Sequence, residues 1–192
     1  MTTNKRKKKK IDWTALPYFA FGSNLNLQQM AGRCPTAENM GAAELQDWAL
    51  TFRGVADVEQ RKGRSVSGGL FKIDAACLKA LDRYEGWPFL YVHRRVKVVD
   101  QNGDLVDAFI YVMNEKRHGR RQISMPSDWY FEVIREGFEN FGLNNRPLYE
   151  ALREVAHEVD MSVAPDADEY YCDLNPDCAY DNEYQAELAL AF

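Results

Sequence analysis

Glu85 stands in "LDRYEGWPFLY" (Leu81 to Tyr91), a carboxylate among aromatic and aliphatic residues with Gly86 directly after it. Such a glutamate is either a solvated helix end or a working acid. Two forces would raise its pKa: burial among Tyr84, Trp87 and Phe89, and the negative end of a helix dipole. A carboxyl lifted toward neutral pH accepts and returns a proton efficiently. A second candidate is "FGSNL": Phe21, Gly22, Ser23, Asn24 and Leu25. A strand passing through Gly-Ser-Asn into a helix start presents successive backbone N–H groups, which suits an anion such as a carboxylate. The same pattern also describes an ordinary strand–turn–helix junction. It is not a nucleophile elbow, because Ser23 lacks the second glycine of G-x-S-x-G, and it is too short for a Walker loop. The third candidate is Tyr111 in "FIYVM", a strand phenol that core packing with a bonded hydroxyl would equally explain. His93, His118 and His157 lie far apart with no i, i+4 pair, so metal- or histidine-based catalysis has little support. Asp57 and Glu59 in "VADVEQRKG" read as solvated residues flanking a turn.

The elements that must hold these residues follow from periodicity and punctuation. "YFAF" (Tyr18 to Phe21) is a short strand stopped by "GSN", and "LNLQQMAGRCP" is a helix capped by Asn24 or Asn26 and closed before Pro35. "WALTFR" (Trp48 to Arg53) and "SVSGGLFKI" (Ser65 to Ile73) are strands, with Gly68 and Gly69 permitting a bulge or a close backbone approach. Ile73, Cys77, Leu81 and Tyr84 share one helix face, so a helix runs to Glu85-Gly86. "YVHRRVKVV" alternates, Asn102-Gly103 turns the chain, and "LVDAFIYVM" returns as the partner strand. "NEKRHGRRQIS" reads as a loop or lid. Ser127 caps a helix bearing Tyr130, Ile134, Phe138 and Phe141, stopped at Gly142, and another helix covers Tyr149 to His157. Strands dominate the first part and helices the end, so the class is α+β, a small mixed barrel-like sheet flanked by helices.

At 192 residues and 46% hydrophobic composition the chain suits one domain with extensions. No apolar run approaches the ~18 residues that span a bilayer, and no apolar segment follows the basic start as in a secretory signal. The net charge of -5 conceals an asymmetry between "KRKKKK" (Lys5 to Lys10) and a C-terminal stretch free of Lys and Arg. The basic arm lacks interleaved aromatics, so it reads as a solvated arm and nucleic acid is not an expected partner. The expected organisation is a basic arm over residues 1–12, a domain over 13–157 and an acidic extension over 158–192. Cys34, Cys77, Cys172 and Cys178 are expected to be reduced thiols of a cytoplasmic protein; Cys172 and Cys178 could pair or bind metal, but their spacing matches no zinc pattern.

Taken together and in order, "FGSNL", "FRGVADV", "VSGGLFKI", "LDRYEGWPFLY", "AFIYVMN" and "MPSDWYFEVIREG", with Gly142-Leu143 after them, resemble the γ-glutamylcyclotransferase-like (AIG2-like) family. The resemblance runs from about Tyr18 to His157 and leaves out both charged ends. It implies that family's fold, a mixed β-barrel flanked by helices, and cyclisation of a γ-glutamyl amide to 5-oxoproline. It further implies Glu85 as general acid/base, Phe21 to Leu25 as the loop that holds the γ-glutamyl group, and Tyr111 as a substrate-orienting residue. It implies no cofactor and no metal, a small-molecule partner, and it allows a homodimer. The family's loop usually begins with Tyr where this chain has Phe21, so a phenol contact is absent there. Glutathione, γ-glutamyl amino acids, γ-glutamyl amines and a carrier-bound group all stay open as substrates. A catalytically silent protein of the same fold, binding a glutamyl or aminoacyl ligand or a protein partner, is the alternative.

Overall fold

The predicted strands close on one another instead of forming separate hairpins. The computed structural model describes residues 11–119 and 121–159. Its strands are β1 (Tyr18–Ala20), β2 (Glu38–Phe52), β3 (Ala56–Lys72), β4 (Tyr91–Asp100) and β5 (Leu105–Met113). They form a closed barrel in the order β1-β3-β2-β4-β5. The sheet is mixed: β1 runs antiparallel to β3 and parallel to β5, meeting it at Tyr18 and Phe109. Between β2 and β4 the pairing is confined to Ala43 with Asp100 and Glu44 with Val99. The expected α+β barrel with flanking helices is the observed architecture.

Both central strands are longer than periodicity predicted. β2 begins at Glu38, not Trp48, and β3 at Ala56, not Ser65. Their polar middle segments alternate poorly, and cross-strand pairing, from Phe52 with Ala56 to Glu38 with Lys72, carries them through. The stretch "VADVEQRKG" is therefore strand, and the turn lies just before it, with Gly54 at φ 76°. Asp57 and Glu59 are consequently not solvated turn residues. Asp57 is buried and Arg53 Nε donates to its Oδ2 at 3.0 Å, while Arg53 also reaches Glu59 Oε2 at 3.3 Å. Side chains such as Phe19, Leu45, Phe52, Leu70, Phe109 and Ile110 fill the core. Gly68 and Gly69 serve close approach: a Cβ on Gly68 would lie 2.3 Å from the Ala20 carbonyl oxygen, and one on Gly69 2.3 Å from the Phe141 ring.

The helices are α1 (Leu27–Arg33), α2 (Ala75–Tyr84), α3 (Glu115–His118), α4 (Asp128–Asn140) and α5 (Arg146–Glu158). The short α3 lies within the segment expected to be loop. Asn26, rather than Asn24, caps α1, its side chain accepting from Gln29 N at 3.1 Å. Ser127 caps α4 as its type predicts. Among the described residues no helix is long and apolar enough to cross a membrane. The basic arm up to Lys10, Cys172, Cys178 and the acidic extension beyond Val159 lie outside the described residues.

Candidate active site

The position of Glu85 follows from how α2 ends. Gly86 adopts φ 64°, Trp87 N donates to Asp82 O at 2.8 Å, and Gly86 N donates to Arg83 O at 3.4 Å. This is a Schellman stop, which needs a residue free to take a left-handed conformation directly after the C-cap. The C-cap residue is Glu85. A glycine one residue later thus fixes the backbone that carries the carboxylate.

On the facing side, β1 runs into Phe21 and Gly22, and Ser23–Leu25 form a single 3-10 turn. Phe21 and Leu25 point into the core, so what either can offer a ligand is backbone. Gly22 has φ -111°, a negative value that does not by itself require glycine. Its lack of a side chain is used: a Cβ there would lie 3.3 Å from both Ala56 Cβ and the Tyr130 hydroxyl. From behind, α4 holds the turn. Asn26 Nδ2 donates to Glu136 Oε2 at 2.8 Å, and at Gly137 a Cβ would come within 2.8 Å of Asn26 N.

Loop and carboxylate meet directly. Asn24 Nδ2 donates to Glu85 Oε1 and to the Tyr18 hydroxyl, each at 2.9 Å. Arg33 Nη1 donates to Asn24 Oδ1 at 2.6 Å and to Ser23 Oγ at 3.3 Å, and its Nη2 donates to the Tyr84 hydroxyl at 2.8 Å. Arg33 also lies 3.8 Å above the Tyr84 ring. The guanidinium therefore orients the amide that orients the carboxylate.

Burial pushes the Glu85 carboxyl up to about 7, against the opposing pull of the Asn24 hydrogen bond and the Arg33 charge. The source of that burial differs from the one predicted. Tyr84, Trp87 and Phe89 are 50%, 43% and 51% exposed and do not enclose it. Tyrosines from other elements lie within electrostatic reach of it. Burial raises Tyr18, Tyr91, Tyr111 and Tyr130, and the charge of Glu85 adds to the rise in each. Glu85 is itself half-buried, so the carboxyl is desolvated without being sealed from water.

Tyr111 is drawn into the same cluster. Its ring meets the Tyr18 ring edge-on with centroids 5.7 Å apart. Its hydroxyl donates to Asp82 Oδ1 at 2.7 Å. All the residues singled out in the sequence thus fall in one neighbourhood: Glu85, the loop Phe21, Gly22, Ser23, Asn24 and Leu25, and Tyr111. Residue-type reasoning missed Tyr18, Arg33, Asp82, Tyr91 and Tyr130, and weighed His93 only as a metal ligand or catalytic base. Asp82 had a signal, three residues before Glu85 and so on its face of the helix. The others come from separate elements and had none.

The chain is similar to several known proteins. The family described as γ-glutamyl cyclotransferase, AIG2-like, matches residues 18–131. A human γ-glutamylcyclotransferase is 32% identical over 139 residues, covering 66% of this chain and 71% of the human protein. The bovine γ-glutamylcyclotransferase is 30% identical over 145 residues, covering 69% of this chain and 74% of the bovine one. A solved structure of a γ-glutamyl cyclotransferase superposes with a TM-score of 0.61 at 28% identity, covering 79% of this chain and 89% of the other. YkqA from Bacillus subtilis shares the fold, with a TM-score of 0.58 at 21% identity over 78% of this chain and 55% of its own. With the family match over residues 18–131, these relatives and the shared barrel fold in agreement, the chain belongs to the γ-glutamyl cyclotransferase, AIG2-like family of cyclising enzymes.

Proposed function

We propose that the protein cyclises a γ-glutamyl amide to 5-oxoproline and releases an amine or amino acid, with Glu85 as the general acid/base. The observation that supports this reading best is the Glu85 carboxyl, raised to about 7 and hydrogen-bonded to Asn24 of the glycine loop. A γ-glutamyl amide carries its own nucleophile. Its α-amine attacks the γ-carbonyl, forming the N–C bond of a five-membered lactam, and the amide C–N bond then breaks. Intramolecular attack supplies much of the rate, since effective molarities in aligned systems reach roughly 10⁵ M or more. What remains is proton traffic. The α-amine is largely protonated at neutral pH and must lose protons before and during attack, and the departing nitrogen must gain one. A carboxyl of pKa about 7 does both better than an ordinary glutamate at about 4.3. The loop Gly22–Leu25 is assigned to the substrate carboxylate and to the charge developing on the γ-oxygen.

The direct test is incubation with glutathione, γ-glutamyl dipeptides and γ-glutamyl amines, following 5-oxoproline by mass spectrometry. Formation of 5-oxoproline from one of these classes is expected. Its absence from all of them would favour the silent ligand-binding alternative. Cys34 and Cys77 are free thiols, which suits the proposed cytoplasmic setting.

Two loop substitutions separate backbone from side chain. Gly22→Val should weaken γ-glutamyl binding by about tenfold or more, because its Cβ would press on Ala56 and the Tyr130 hydroxyl. Ser23→Ala should be mild, since its hydroxyl touches Arg33 and Tyr84 at 3.3 Å, near the outer limit for such bonds. Titration calorimetry of both variants checks this. Full affinity in Gly22→Val would rule out the loop as the anchor.

A further inference from the structure

Behind Tyr111 lies an arrangement that the proton traffic of Glu85 does not use. Asp82 Oδ1 receives two hydrogen bonds, one from the Tyr111 hydroxyl and one from His93 Nε2, both at 2.7 Å. The His93 ring is held on several sides. Trp87 stacks on it at 5.4 Å, and Trp13, Phe109 and Tyr111 meet it at 5.0, 5.4 and 4.9 Å. Its side chain is 3% exposed. Among the described residues its Nδ1 is buried with no hydrogen-bond partner. A buried N–H left without an acceptor is costlier than a bare ring nitrogen, so the proton belongs on Nε2 and points at Asp82. Burial outweighs the Asp82 contact and lowers the His93 pKa, which keeps the ring neutral.

We propose that Asp82 and His93 are positioning residues for Tyr111: they hold its phenol proton away from the substrate, so that Tyr111 meets the γ-glutamyl α-amine as a hydrogen-bond acceptor. This rests on the cyclotransferase reading of the site. A phenol has one proton to give, and the short bond to a carboxylate claims it. Only lone pairs are then left on the Tyr111 oxygen for any other partner. An oxygen that can only accept selects a group that donates, and the α-amine is the donor that must be aimed at the γ-carbonyl. The arrangement also discriminates. A ligand lacking the amine would leave the Tyr111 oxygen unmatched, and one with a carboxylate there would be repelled by it.

The test uses binding, so that it does not depend on turnover. In a Glu85→Gln background, which keeps substrate intact, affinities are measured by calorimetry for γ-L-glutamyl-L-alanine and for glutaryl-L-alanine, the same molecule without its α-amine. Asp82→Ala should weaken the first by about tenfold and the second by less than about twofold, the scale of one oriented hydrogen bond. Asp82→Asn keeps an acceptor oxygen and should restore most of the loss. His93→Phe, which keeps a ring but not the donor, should fall between. In a Tyr111→Phe background, Asp82→Ala should cost the dipeptide nothing further. Equal weakening of both ligands, unchanged affinity in Asp82→Ala, or a tenfold loss that persists without the Tyr111 hydroxyl would each overturn the proposal. A thermal-unfolding double-mutant cycle on Asp82 and Tyr111 should show coupling, and additive effects would overturn it even if a variant folds poorly. Failure of the wild type to make 5-oxoproline is a separate result, and counts against the cyclotransferase reading.

Discussion

Glu85→Gln is expected to lower turnover of the preferred γ-glutamyl compound by roughly 10²–10⁴-fold, the range lost with a general acid/base. The variant preserves shape and can still accept the Asn24 hydrogen bond, so binding should survive. Wild-type kcat/KM should rise with pH through about 7, as the carboxyl that burial has raised becomes a carboxylate able to take a proton. The variant should lose that limb. Stability supplies an independent check with its own sign. The folded pKa of Glu85 lies above the unfolded one, so the folded state binds the proton more tightly. Its contribution is fully present below about 4.5 and is lost as pH rises through about 7. Gln carries no such ionisation penalty. Above pH 7 Glu85→Gln should therefore equal or exceed the wild type in stability, by up to roughly 3 kcal/mol, and the advantage should vanish near pH 4. Kinetics and thermal unfolding of the pair across pH 4–9 decide the matter. Normal turnover in Glu85→Gln, with Tyr111→Phe or Asp57→Asn inactive, would move the base elsewhere.

Arg53→Leu is expected to cost about 3–5 kcal/mol at neutral pH, because it leaves a buried carboxylate without its cation. Arg53 is tied on three sides: Nε to Asp57, Nη2 to Glu59 and Nη1 to the Arg121 carbonyl at 2.6 Å. Glu59 keeps Arg61 at 2.7 Å when Arg53 is gone. Among the described residues Asp57, 4% exposed, has no second ion-pair partner, and it answers by taking up a proton. Burial already raises its pKa against the pull of Arg53, and removing Arg53 raises it further. The deficit of the variant should accordingly be larger at pH 8 than at pH 5. Adding Asp57→Leu should recover much of the loss, since a packed apolar pair often matches a buried ion pair. In a domain of this size the single variant should melt about 10 °C lower, read by circular dichroism with both pH values in parallel. A Tm within 2 °C of wild type at pH 8 would show that the pair contributes little.

Most of the fold's punctuation was legible in the sequence. Gly86 after the last helical residue marks the Schellman stop, Asn26 and Ser127 mark helix starts, and Asn102-Gly103 marks the β4–β5 turn. These signals are local because the physics is local: each concerns backbone groups within a few residues of the side chain that satisfies them. The order of the motifs from "FGSNL" through "LDRYEGWPFLY" and "AFIYVMN" to "MPSDWYFEVIREG" was sufficient to place the chain in its family.

The tertiary structure decided what surrounds those signals. The aromatic residues adjoining Glu85 in sequence looked like its walls, yet three of them face solvent. Burial in the tertiary structure carries its carboxyl to about 7, and the same folding brings Tyr18, Tyr91, Tyr111 and Tyr130, from β1, β4, β5 and α4, within reach of its charge. Asp57 read as flanking a turn because it is only the second residue of β3, close to the turn at Gly54, and pairing with Thr51 of β2 makes it buried strand. Helical periodicity could place Asp82 on the face of α2 that carries Glu85, but only closure of β4 against β5 sets His93 opposite Tyr111. A pKa and a hydrogen-bond polarity depend on distances of a few ångströms between residues from different strands. Sequence spacing carries those distances within one element and loses them at the next turn.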